Sequence, residues 1–238
     1  MTIRRVLLPG LTLPVDDYEA LIDALPGSTA MLDTLVTPVT GTTEELCAAV
    51  PVPVAPYELV GHSIGGLAAL EWAAQHPEAV SRVVLLDPST PFGEPVPAIL
   101  GGRAGRVLVW VIDLLARSPR IARSLGRWGR RSLLRGYGVT EDPLPLARVD
   151  ELLGNRAVLG VVAAQVTGVP AIVARVRALL EAGASFPNVL VLSSAEGNGS
   201  DQRLTRELAD ALGAHVVTVP GGHLFPMTHP VSTAAAIS

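Results

Sequence analysis

Residues 57–66 read YELVGHSIGG, Tyr57 to Gly66. An apolar run with strand character stops at Gly61, and helical spacing begins at Ile64. A chain that passes from strand to helix in so few residues forces the residue between them into a strained conformation. That residue is Ser63. Positions two before and two after it must be small, because side chains there would collide across the turn, and Gly61 and Gly65 meet that need. The turn exposes one hydroxyl beyond the carboxyl end of a strand, where open parallel sheets bind ligands. It also aims the Ile64 N–H at whatever the hydroxyl attacks.

The same alternation continues along the chain. RRVLLPG (4–10), MLDTLVTP (31–38), SRVVLLDP (81–88), NVLVLSS (188–194) and HVVTVPGG (215–222) read as further strands. Helical spacing separates them at Asp16–Leu25, Thr43–Val50, Ile64–His76 and Gln202–Leu212. Pro51, Pro53 and Pro56 make VPVPVAP an extended connector rather than a central strand. Uninterrupted apolar strands between helices predict an α/β fold: a mostly parallel sheet of about six strands covered on both faces. Residues 92–187 break the pattern with helices and no convincing strand. The expected organisation is therefore a core of 1–91 and 188–238 with a helical cap of 92–187.

Composition narrows the partners. With 49% apolar and 17% charged residues the chain supports a large core, and with 4% aromatic residues that core must be aliphatic. A net charge of -4 gives no general case for nucleic-acid binding. Cys47, the single cysteine, has neither a disulfide partner nor metal-ligand spacing. The apolar run of the first strand stops at Pro9-Gly10, too short for a signal-peptide core, and Val107–Ala116 falls below the roughly 20 residues of a bilayer span. A cytoplasmic protein without a transmembrane segment is the expectation.

Gly61-x-Ser63-x-Gly65, preceded by a strand and followed by a helix, is a nucleophile elbow. On this motif and the strand–helix alternation, the chain resembles the α/β-hydrolase superfamily over nearly its whole length. It departs from that family in having no counterpart of the first antiparallel strands and only a short final helix after Pro230. The resemblance implies a serine nucleophile followed in chain order by an acid and a histidine. His223, in VPGGHLFP on the loop after the last strand, is the histidine it points to. His62 beside the nucleophile should point away from it, His76 ends a helix, His215 opens a strand, and His229 is a surface residue before Pro230.

The acid is harder to place. The family puts an aspartate a few residues after the strand matching NVLVLSS. Counting forward from that strand lands on Gly197, counting back from the following helix lands on Glu196, and Glu196 is the carboxylate within that error. Asp201 starts the helix, where a carboxylate is favoured in any protein. Relatives that carry the acid after the preceding strand would nominate Asp87 or, farther on, Glu94; Asp87 is also an ordinary turn residue before proline. The oxyanion donors implied are the N–H groups of Ile64 and Leu11, the latter following Pro9-Gly10 where relatives have His-Gly.

This reading is a serine hydrolase acting on a carboxylic ester or thioester with an apolar acyl or alcohol group, without metal or organic cofactor. PGGHLF also resembles thioesterases that edit acyl carriers, so an acyl-carrier or coenzyme A thioester is an alternative substrate. The rival readings are non-hydrolytic chemistry on the same fold (perhydrolysis, lyase or carbon–carbon cleavage) and a non-catalytic scaffold that binds a ligand or partner. Between Arg103 and Arg135 stand nine arginines and one acid, Asp113, among aliphatic residues and two tryptophans. The simpler expectation is a cap with arginines to solvent and its aliphatic face over the active site; peripheral membrane contact by 103–135 is the less favoured one.

Overall fold

A computed structural model describes residues 4–92, 102–197 and 199–238. Six strands form one all-parallel sheet in the order β2-β1-β3-β4-β5-β6: β1 (Arg4–Leu8), β2 (Ser28–Met31), β3 (Tyr57–His62), β4 (Val80–Leu86), β5 (Val189–Ser194) and β6 (His215–Val219). Register brings the strand ends together. Leu8 pairs with Gly61, His62 with Leu86, Leu86 with Leu192 and Ser194 with Val219, so the loops that follow β1, β3, β4, β5 and β6 all emerge along one edge. That edge is where the topology collects functional side chains.

Helices cover both faces. On one face α2 (Thr43–Ala49), α3 (Ile64–Gln75), α7 (Arg156–Glu181) and α8 (Gly199–Leu212) enclose a core of aliphatic residues around Trp72. On the other, α1 (Glu19–Ala24), α9 (Phe225–Thr228) and α10 (Pro230–Ile237) pack Leu21, Phe225 and Ile237 beneath Leu7, Val60 and Val84. The central strands are therefore buried on both sides, which is why they read as unbroken aliphatic runs. Thr42 caps α2 through a capping box with Glu45.

One strand lies earlier than MLDTLVTP suggests. β2 ends at Met31, because the Asp33 carboxylate accepts from the Leu35 N–H and the Asp33 carbonyl from the Thr37 N–H, turning the chain. Between β4 and β5 the described residues form α4 (Gly102–Leu115), α5 (Pro119–Gly136), α6 (Leu146–Leu153) and α7. By length and composition α7 could cross a bilayer. It packs instead on α3, with Ile172 and Val176 fully buried, Arg175 paired to Glu71, and the buried Gln165 donating to the Thr34 carbonyl. The second half of the inserted segment thus belongs to the core layer and is no detached lid.

Candidate active site

Ser63 stands between β3 and α3 with φ 54° and ψ -122°, a conformation that costs a non-glycine residue free energy and persists only where the surroundings enforce it. The enforcement is steric. A Cβ on Gly61 would fall 2.4 Å from the Gly65 carbonyl oxygen, and one on Gly65 would fall 2.1 Å from the Leu8 carbonyl oxygen. Backbone hydrogen bonds complete the hold: the Ser63 N–H donates to Leu86 O, and the Ser63 carbonyl accepts from Gly66 and Ser89.

His223 reaches Ser63 from the loop after β6, which turns through Gly221 at φ 96°. Its Nε2 lies 3.0 Å from Ser63 Oγ, and its Nδ1 lies 2.7 Å from Asp87 Oδ2. An ionised carboxylate only accepts, so Nδ1 carries the proton and Nε2 is left to accept from the serine hydroxyl. Asp87 sits just past β4 and is held at φ 40°. Its oxygens also accept from the Ser194 N–H and hydroxyl. Burial works to raise the Asp87 carboxyl, but the bonds from His223 and Ser194 prevail, and it lies below the ordinary carboxylate value.

The carboxylate behind His223 is therefore Asp87, and the expectation of Glu196 is corrected. Glu196 follows β5 but lies exposed in a turn, where its N–H donates to Gly221 O. It lines the same cavity without touching the imidazole, because Asp87, one strand closer to Ser63, already occupies Nδ1. Glu94 and the Asp201 side chain lie outside the described residues.

The model of the alpha/beta hydrolase family matches residues 5–236. This chain belongs to the alpha/beta hydrolase family. No curated protein matches its sequence. Solved structures similar to it include an enol-lactonase from Burkholderia xenovorans LB400, 18% identical, covering all of this chain and 90% of that one at a TM-score of 0.66. A thermophilic esterase from Thermogutta terrifontis is 18% identical over all of this chain and 88% of its own, at a TM-score of 0.69. A haloalkane dehalogenase from Bradyrhizobium elkanii is 14% identical over 99% of this chain and 88% of its own, at 0.65. Likeness at this level shows the fold, and the chemistry must be argued from the site.

In this alpha/beta hydrolase, His62 has work that its position beside the serine did not reveal. The Gly10 N–H donates to the Tyr18 hydroxyl (3.0 Å), Tyr18 donates to His62 Nδ1 (2.6 Å), and His62 Nε2–H donates to the His223 carbonyl (2.9 Å). Burial, reinforced by the neighbouring His223, pushes the His62 imidazole down to about 3, so it is neutral. Burial likewise raises the Tyr18 phenol above its usual value. A neutral, fully buried pair thus ties the loop after β1 to the loop carrying His223. His76, His215 and His229 lie away from this cluster; His229 packs on Gly221.

Of the two N–H groups expected at the oxyanion, that of Ile64 opens α3, where no intrahelical acceptor exists, and Ile64 lines the cavity. Leu11 is half-buried against the core just past Gly10, whose Cβ position lies 3.4 Å from Ser63 Cβ. The Leu11 N–H makes no hydrogen bond among the described residues.

Above Ser63 lies an open cavity of about 900 Å³, walled by the apolar Phe92, Val169, Val173 and Leu204 and by the polar Ser89, Thr90, Glu196 and Thr205. Its roof is Gly136-Tyr137-Gly138, and the Tyr137 ring stacks on His223 with centroids 4.3 Å apart and planes 28° from parallel. Neither α4 nor the body of α5 lines it, so the expectation that their aliphatic face covers the site is corrected: α7 and the turn after α5 do so. Tyr137 escaped the sequence reading. Its signal was a rare aromatic residue set between two glycines, RGYGV.

Proposed function

We propose that this alpha/beta hydrolase cleaves carboxylic esters or thioesters through an acyl-enzyme formed on Ser63. The observation that carries the reading is the continuous hydrogen-bonded chain Ser63–His223–Asp87 at a strained elbow beneath an open cavity. Ser63 Oγ attacks the carbonyl carbon as His223 Nε2 takes its proton. The oxygen that gains the charge lies against the Ile64 N–H, with Leu11 as the second donor; one such donor is worth about 100- to 1,000-fold in rate. The intermediate then collapses, the bond to the alcohol or thiol breaks, and His223 returns the proton to that leaving group. Water repeats the sequence on the acyl-enzyme and releases the acid and free Ser63.

Asp87 fixes the imidazole in the tautomer whose Nε2 accepts, and its negative charge supports the imidazolium while that exists. Since its carboxyl lies below the ordinary value, it stays ionised through the neutral range. Phe92, Val169, Val173 and Leu204 favour an apolar acyl or alcohol group, with burial of each methylene contributing about 0.8 kcal/mol. Fluorophosphonate labelling tests the reading. Wild type should be labelled, Ser63→Ala should not, and His223→Ala should react far more slowly. Equal labelling of all three proteins would refute it. A chain-length series of p-nitrophenyl esters and acyl thioesters then ranks the two leaving groups.

A further inference from the structure

The inserted helix α4 faces the wrong way for a soluble protein. Its inward side is small: Gly105 is buried, as is Ala116 just past its end, and Ile112 packs on Ala122, Leu125 and Leu159. Its large apolar residues point out. Val107 is 60% exposed, Trp110 61% and Leu114 43%, with Val111 beside them at helical spacing. Arg103 extends the same stripe, giving Arg103-Val107-Trp110-Leu114 at steps of four, three and four, and the exposed Arg117 follows in the turn just past the helix. On α5, Trp128 is 69% exposed with Ile121, Arg131 and Arg135 on its side of the helix. Two of the three tryptophans therefore stand in solvent.

Charge distinguishes this face from the rest of the molecule. With nine arginines against one acid, residues 103–135 carry a formal +8, and the other residues carry -12, on a chain whose net charge is -4. Two of the nine are used internally: Arg127 pairs with Asp150, and the buried Arg130 with Asp17 and Asp142. The other seven have no carboxylate within 4 Å among the described residues, and Asp113 is taken up by Arg156.

We propose that α4 and α5 dock this protein on an anionic lipid bilayer, with Trp110, Leu114 and Trp128 entering the interfacial layer and the arginines meeting lipid phosphates. An outward apolar stripe with basic residues at its ends fits a surface that is apolar in depth and anionic at its rim. A symmetric dimer through the same helices would set +8 against +8. A head-to-tail dimer would meet a surface whose exposed large apolar residues are scattered: Val36 in the loop after β2, the 51–56 connector, Tyr137, Leu146, β6 and Val231. The -12 elsewhere opposes any other orientation on an anionic membrane.

Co-sedimentation with phosphatidylcholine vesicles, with and without about one-third phosphatidylglycerol, tests this. Wild type should bind the anionic vesicles, bind neutral ones at least tenfold more weakly, and release as salt rises. Arg120→Gln/Arg131→Gln/Arg135→Gln should weaken binding tenfold or more. Trp110→Ser/Trp128→Ser should weaken it even at low salt and remove the lipid-induced blue shift of tryptophan fluorescence, Trp72 being buried. Both variants should keep the ester turnover of wild type in solution, which shows them folded, and Ser63→Ala should bind vesicles like wild type whether or not the hydrolase reading holds. Three results would overturn the proposal: no vesicle binding, binding indifferent to lipid charge and to both sets of substitutions, or a wild-type dimer in sedimentation velocity that Trp110→Ser/Trp128→Ser disperses.

Discussion

The elbow around Ser63 and the exterior of α4 and α5 are opposites in one chain. At the elbow the Ser63 N–H, carbonyl and hydroxyl are each hydrogen-bonded, and glycines are present because nothing larger fits; a Cβ on Gly65 would lie 2.1 Å from a backbone oxygen. On the inserted helices seven arginines lack a carboxylate partner among the described residues, apolar side chains face solvent, and a Cβ on Gly129 would meet nothing within 4 Å. The first region is determined by contacts within the fold, and the second is left undetermined by it. Substitutions that look alike on paper should therefore act in opposite directions.

The widest contrast is alanine for glycine. Gly65→Ala must push apart the backbones of β1 and α3 and should cost about 3 kcal/mol or more, seen as a lowered urea midpoint. Gly129→Ala fills open space within a helix and should add about 0.5–1 kcal/mol. A neutral Gly65→Ala would break the comparison. Next comes His62→Ala, which strips the Tyr18 hydroxyl and the His223 carbonyl of their partner. Each buried group left unpaired costs about 1–3 kcal/mol, and kcat should fall with KM little changed, since the loops after β1 and β6 lose their tie.

The same histidine makes stability pH-dependent. His62 is held near 3 in the folded protein against about 6.5 unfolded. The unfolded chain therefore binds the extra proton between those values. Stability should be full above about pH 6.5 and decline by up to about 1.4 kcal/mol per unit as pH falls toward 3. Asp87, lowered in the fold, adds loss in the same direction below its unfolded value near 3.9. Thermal melts from pH 8 to 4.5 should trace this, and His62→Asn should flatten it. The smallest effect is expected from Trp128→Ser, within about 0.5 kcal/mol of wild type, because the ring is mostly in solvent.

What the sequence disclosed follows the same division. Strands buried on both faces advertise themselves as aliphatic runs, and the elbow's glycines are a local steric demand, so both could be read one residue at a time. MLDTLVTP misled because Asp33 diverts the backbone at a point where the apolar pattern continues. The acid misled for a different reason: Asp87 and Glu196 both follow strands on the same sheet edge, and chain order cannot say which one the imidazole meets. That depends on β4 lying one strand nearer to Ser63, a tertiary fact. Tyr137 and the outward turn of α4 are likewise set by how α5 and α7 pack, which amphipathic spacing alone leaves open.

The central claim is that Ser63, His223 and Asp87 act as one unit, and kcat/KM for a p-nitrophenyl ester in Asp87→Asn and Glu196→Gln tests it most directly. Asp87→Asn should lose about 10,000-fold, since the amide favours the wrong imidazole tautomer, while Glu196→Gln should stay within a few-fold of wild type. Near-wild-type turnover in Asp87→Asn, or a collapse confined to Glu196→Gln, would contradict the account.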